Sequence, residues 1–381
     1  MDRKKFITVL GLSAIGLFHR TGSVLGQSQG KNRFFKIGKV NDKFFLITPE
    51  NKKFFSIGIN HIDSASLRYI ESNGRWDRVY SNSHKKWLKH VARELQNWNF
   101  NTVGWVQDIV VKSETMRRHS RNFTYEEYQW LNMPYCHMLP FADFHQWEVE
   151  TRNPDFFSSG FEDWCDYVAR DHCCRLKDDP TLIGYFYLDC PTWVHTTFET
   201  PVKGPIFDPE MLKTESGRKE IRKTATKYYK LTFDAIKRYD KNHLILGDRY
   251  EASKLIADDV IQAAVPYIDV LSFQHFGSPA RIVENLRNWY NKTGLPTLLA
   301  DFAHNKMTPG GQLKHNVEDY RDTLQLLRKD PSCIGSHLCG AYIANRVRKK
   351  GLLDENENFD SEQISTISQV NKEMKNWIER L

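Results

Sequence analysis

Eight short apolar runs recur along this chain, several of them ending in an aspartate, histidine or glutamine, and most are separated by stretches of helical period. They lie at residues 54–60, 101–106, 134–141, 183–188, 244–247, 269–273, 297–300 and 335–342. Alternating strand and helix signals predict βαβ units with a parallel sheet, and eight of them predict a closed (β/α)8 TIM barrel. Helical segments are expected at 83–98, 160–177, 215–239, 258–265, 280–291, 317–329 and 361–381. The segment 215–239 is the longest, with Ile221, Ala225, Tyr228, Tyr229, Leu231, Ala235 and Ile236 close to a 3.6-residue period. Ahead of the barrel, residues 33–55 read as aromatic strands broken by Asn41-Asp42 and by the Pro49 turn. This predicts a small β-meander that closes the bottom of the barrel.

In such a barrel the residues just past each strand converge on one face, where chemistry is found. The residues in question are His61 and Asp63, Gln107 and Asp108, Asp143 and His145, Asp189, Asp248 and Arg249, Gln274 and His275, Asp301 and His304, and Asn345 and Arg346. A rim so rich in carboxylates and imidazoles points to an enzyme. The loops at 150–157 and 192–213 are irregular, aromatic and follow the third and fourth strands, so they are expected at the active site.

The N-terminus carries a short basic head, Arg3-Lys4-Lys5, then a mostly apolar run from Phe6 to Phe18 and a small-residue stretch ending at Gly26. This is the layout of a secretory signal peptide, too short to span a bilayer permanently. Residues 1–26 are therefore expected to be removed, and 27–381 to form a single domain, with meander 33–55 and barrel 54–381, exported to the periplasm or beyond. No later segment is apolar enough for stable membrane insertion. Of the formal charge of +7, Arg3, Lys4, Lys5 and Arg20 against Asp2 supply a net three. The rest is spread on helix faces such as 213–241, a solvated surface rather than a nucleic-acid footprint. The seven cysteines are an odd number and lack zinc-site spacing, so most are expected to be small buried hydrophobes. The sole Gly-x-Ser-x-Gly match, Gly26 to Gly30, lies outside any strand–helix context, which disfavours a serine hydrolase.

Four stretches resemble β-agarase-like glycoside hydrolases, members of the retaining (β/α)8 clan. Phe54-Phe55-Ser56-Ile57-Gly58-Ile59-Asn60, preceded by the Pro49 turn, is similar to the family's entry into its first strand. Trp98-Asn99-Phe100-Asn101-Thr102-Val103-Gly104 is similar to the second strand. Ile183-Gly184-Tyr185-Phe186-Tyr187-Leu188-Asp189-Cys190-Pro191-Thr192-Trp193 resembles the strand that ends in Asn-Glu, whose Glu is the general acid/base. Pro296-Thr297-Leu298-Leu299-Ala300-Asp301-Phe302 resembles the strand that carries the nucleophilic Glu. Both Glu positions are altered: Cys190 falls on the acid/base and Asp301 on the nucleophile, with Asp189 one residue earlier.

The resemblance implies a glycoside hydrolase acting on a polysaccharide or oligosaccharide, with galactose-containing chains as the suggested class. Such hydrolysis needs one protonated and one ionised carboxyl group, and Asp189 and Asp301 are the candidates. Retaining pairs stand about 5–5.5 Å apart and inverting pairs about 6.5–9.5 Å, so the sequence leaves the stereochemistry open. Candidate sugar-binding residues are His61, Asp63, Trp105, Asp108, Asp143, His145, Trp193, Asp248, Arg249, His275 and His304. The imidazoles and carboxylates suit sugar hydroxyls, and the tryptophans suit the apolar faces of pyranose rings. No cofactor or metal is expected, no nucleic-acid partner either, and the oligomeric state is open. Two alternatives remain: a non-catalytic carbohydrate-binding barrel, and a metal-dependent hydrolase that uses some of His61, Asp63, Asp143, His145, His275 and His304.

Overall fold

Asn41 and Asp42 both adopt the left-handed region, at φ 48° and 61°, and turn the chain back on itself. In the computed structural model this pairs Lys36–Val40 (β1) with Lys43–Ile47 (β2), and Lys53–Phe54 (β3) adds to β2, all antiparallel. The structure describes residues 33–68, 74–106, 108–109, 120–142, 155–191, 193, 208–253, 255–307, 313–344 and 350–381. The expected signal at 1–26 and most of the two irregular loops lie outside the described residues.

Every one of the eight apolar runs forms a strand. They are Ser56–Ile59 (β4), Thr102–Val103 (β5), Tyr135–Met138 (β6), Leu182–Asp189 (β7), Leu244–Glu251 (β8), Leu271–Gln274 (β9), Thr297–Phe302 (β10) and Cys333–Leu338 (β11). Each is hydrogen-bonded in parallel to its neighbours in chain order, and β11 pairs with β4 to close the barrel. Between and after them run Arg75–Tyr80 (α1), His84–Asn97 (α2), Tyr125–Leu131 (α3), Ser159–Leu176 (α4), Glu215–Tyr239 (α5), Asp258–Ala264 (α6), Pro279–Thr293 (α7), Val317–Lys329 (α8) and Ser361–Glu379 (α9). The (β/α)8 architecture with antiparallel strands ahead of it is as the sequence rhythm predicts. The short helices α1 and α3 are additions that the periodicity does not reveal.

Two apolar layers hold the structure. The larger lies between strands and helices, where α5 lays Ile221, Ala225, Tyr228, Tyr229, Ala235 and Ile236 against the sheet. The smaller fills the barrel, with Ile183, Phe186, Leu244, Leu246, Val270, Leu298, Ala300 and Ile334. Phe35 and Leu46 of the meander belong to this inner layer. The Phe44 amide donates to the Pro331 carbonyl at 2.8 Å, just before β11 begins, so the meander seals the end where the strands start. The opposite end, where the strands finish, is left for the site.

Candidate active site

The site begins with a break in strand parity. Along β8, Leu244 and Leu246 point into the barrel and Ile245 points out to the helices. Strict alternation would send Asp248 inward next. Gly247 instead takes φ 70°, and the β7 register shifts on both sides of it. A bulge of this kind reverses the faces beyond it. Arg249 is thereby delivered to the barrel interior and Asp248 to the helix layer.

Inside, Arg249 is fully buried and lies between two carboxylates. Its Nη1 donates to Asp189 Oδ1 at 2.7 Å, and its Nη2 stands 3.4 Å from Asp301 Oδ2 and donates to the Ala300 carbonyl at 3.0 Å. Burial alone would lower the guanidinium pKa, but Asp189 and Asp301 outweigh it and hold it charged. The guanidinium carbon also lies over two aromatic rings, Trp105 at 4.7 Å and Phe186 at 5.6 Å. Gln274, at the end of β9, adds a second hydrogen bond to Asp189 Oδ1. Asn60, just past β4, donates to Asp301 Oδ1 at 2.6 Å and to the Ala300 carbonyl at 2.9 Å, while its Oδ1 accepts the Trp105 amide at 2.9 Å. The carboxylates from the fourth and seventh barrel strands are thus joined through one cation, and each is held by one side-chain amide.

Two non-glycine residues beside them occupy the left-handed region: His61 at φ 58° and Cys190 at φ 42°. Such conformations cost about 1–3 kcal/mol each and cluster at functional sites. The His61 ring packs edge-on to Trp105 at 5.1 Å. His61, Asp301 and Cys339 place their ligating atoms within 4.8 Å of one another. Cys190 is buried, and its amide donates to the Arg249 carbonyl at 3.1 Å.

Of the residues singled out in the sequence, Asp189, Asp301, Arg249, His61 and Trp105 therefore come together. His275 lies next to them, its amide donating to the Asp301 carbonyl at 2.9 Å. Burial, followed by Arg281 and His304, pushes its imidazole down to about 4. His275 Nδ1 accepts the Gly277 amide at 3.0 Å, so the neutral ring carries its proton on Nε2. His304 turns to the helix layer and bonds Thr323 of α8 at 2.7 Å. Asp63 is buried under the first loop, where it accepts the Ala65 amide at 2.9 Å.

Asp248 and Trp193 are held apart from the mouth, with the tyrosines of α5. Asp248 accepts from Tyr229 at 2.6 Å and Tyr228 at 3.3 Å, and Trp193 packs on Phe156, Tyr228 and Tyr229. Burial pushes the Asp248 carboxyl up to about 7 against the hydrogen bonds of Tyr229, Tyr228 and Trp193. Asp108 lies in a two-residue ladder opposite Arg121. Asp143, His145, Gln107, Asn345 and Arg346 lie outside the described residues. Asn60 and Cys339 join the site without having been singled out.

No protein-family model matches the chain, and no curated protein matches it in sequence. Solved structures do match. Agarases share this barrel. One agarase superposes with a TM-score of 0.66 at 15% identity over 92% of this chain, and an exo-β-agarase with 0.67 at 16% over 93%. A β-glucuronidase from Bacteroides uniformis follows with a TM-score of 0.56 at 12% identity, covering 88% of this chain. The chain spans 65% and 66% of the lengths of those two agarases, and 37% of the glucuronidase. At these identities the likeness is one of fold.

Proposed function

We propose that this protein is a glycoside hydrolase that cleaves a polysaccharide or oligosaccharide at the open end of its barrel. The observation that carries the reading is the joining of Asp189 and Asp301 through Arg249. Two carboxyl groups from the fourth and seventh strands face one buried mouth, and glycosidic cleavage needs a carboxyl pair. The agarase likeness of the fold supports galactose-containing chains as the substrate class. Trp105 offers an aromatic wall, and His61 and His275 suit sugar hydroxyls.

In this mechanism Asp301, oriented by Asn60 and Arg249, is the carboxylate that attacks the sugar or activates water. Asp189 is the acid that protonates the leaving oxygen, and it must leave its Arg249 contact to do so. Substrate seating at the mouth would draw Arg249 toward Asp301 and release Asp189 to take up a proton from water before it acts, since one guanidinium serves both. Cys190 stands beside the acid as a spectator, because a thiol is a poor acid toward a sugar oxygen.

One observation favours a second reading, an exported sugar-binding barrel without turnover. Arg249 and Gln274 both donate to Asp189 Oδ1, an arrangement suited to a permanent carboxylate. A panel of agar-derived and other galactose-containing oligosaccharides separates the two. Release of reducing ends from any of them supports the hydrolase; saturable binding with no product supports the binding barrel and removes the enzyme.

Residues 1–26 act as a signal peptide cleaved before Gln27, and 27–381 work as one exported domain. N-terminal sequencing of secreted material that began at Met1 would overturn this. Among the described residues no helix is long and apolar enough to cross a membrane.

A further inference from the structure

Cys339 follows β11, Asp301 lies in β10 and His61 follows β4, so the seventh, eighth and first barrel strands bring three different ligand types to one spot. We propose that His61, Asp301 and Cys339 form a binding site for a zinc-like divalent ion at the barrel mouth. Their ligating atoms already lie within 4.8 Å of one another, and three protein ligands with an open fourth position is the arrangement of an accessible zinc site. His61 and Asp301 are buried while Cys339 is partly exposed, which gives the ion a path from solvent. A thiolate with an imidazole selects zinc or cobalt over magnesium and calcium.

The contacts around the three residues agree with this assignment. Asp301 is oriented by Asn60, and groups that hold a carboxylate in place strengthen the site it serves. The strained backbone at His61 brings its imidazole to the same point.

Asp301 cannot ligate an ion and act as a free carboxylate at once. The ion therefore inhibits turnover, a consequence that rests on the hydrolase reading, whereas the binding itself does not. The test uses the full chain, stripped with a chelator and titrated with Zn²⁺ against a chromophoric chelator. One equivalent is expected, with His61→Ala and Cys339→Ser each weakening it by at least about a hundredfold, more than the loss when a group supporting a ligand is removed. Magnesium should not compete. Co²⁺ should give a sulfur-to-metal charge-transfer band that survives Cys174→Ser, an exposed thiol of α4. Absence of a bound equivalent, retention of full affinity in both variants, or a Co²⁺ complex of the unaltered chain without the sulfur band would each overturn the proposal. Zinc bound at the site with hydrolysis undiminished would instead remove Asp301 from the mechanism and leave the ion site standing.

Discussion

Asp248 and Arg249 are neighbours in sequence and opposites in environment. One is a carboxyl group among tyrosines, the other a guanidinium among carboxylates. Because burial raises the Asp248 carboxyl from an ordinary value of 3.8 to about 7, the folded chain holds a proton that the unfolded chain has released. Stability therefore falls as pH rises from about 4 to about 7, by at most about 4 kcal/mol. Asp248→Asn should flatten that fall, measured as urea midpoints across the window; an unchanged slope would refute the assignment. At the mouth, Asp189→Asn and Asp301→Asn should each lower hydrolysis by at least about a hundredfold with the fold intact by circular dichroism. Near-normal turnover in either variant would remove that residue. Cys190→Ser should keep most activity, and its complete loss in a folded variant would move the acid one residue along. Asn60 and Cys339 escaped the sequence reading because nothing local marks an asparagine or a half-exposed cysteine as part of a constellation built from distant strands.

At the scale of elements, legibility followed burial. Strands covered on both faces become continuous apolar runs, and for that reason all eight were visible in the sequence. The long helices α5 and α8 were visible to the residue because their amphipathic period persists over several turns. Helix α3 has too few turns for that signal, although Thr124 and Glu127 form a capping box that marks its start. The direction of Asp248 was hidden by a single bulge, for which the lone Gly247 was the available sign. A Cβ at Gly247 would meet Ile268 Cγ2 at 3.2 Å and the Val270 carbonyl at 3.3 Å, in a backbone region that L-residues avoid. Gly247→Ala should therefore cost about 1–2 kcal/mol in chemical denaturation. It should also weaken sugar binding, since Arg249 sits two residues on; binding and stability both unchanged would show that the bulge does not set the mouth.

For the whole molecule, the decisive contacts join the two ends of residues 32–381, which form one compact unit. Helix α9 buries Ile364, Ile367, Val370, Met374, Trp377 and Ile378. Trp377 packs on Phe45 of β2 at 5.9 Å and on Phe55 at 6.2 Å. The half-buried Lys43 ammonium lies over the Trp377 ring and donates to the Leu327 and Asp330 carbonyls, and burial lowers its pKa. Leu46→Ala, which opens the sealed end, should cost about 2–5 kcal/mol in unfolding free energy. Removing residues 361–381 should leave a chain that limited proteolysis digests throughout; a protease-resistant remnant would contradict this. These contacts also govern the order of events on the ribosome. Synthesis delivers β4 long before β11, and the clasp of α9 on Phe45 and Phe55 later still. Until β11 emerges, the first strand presents an unmatched edge and its apolar neighbours to the surroundings. Closure of the ring therefore waits on a pairing between strands far apart in sequence, the kind that forms slowly and leaves an edge open to wrong partners in the meantime.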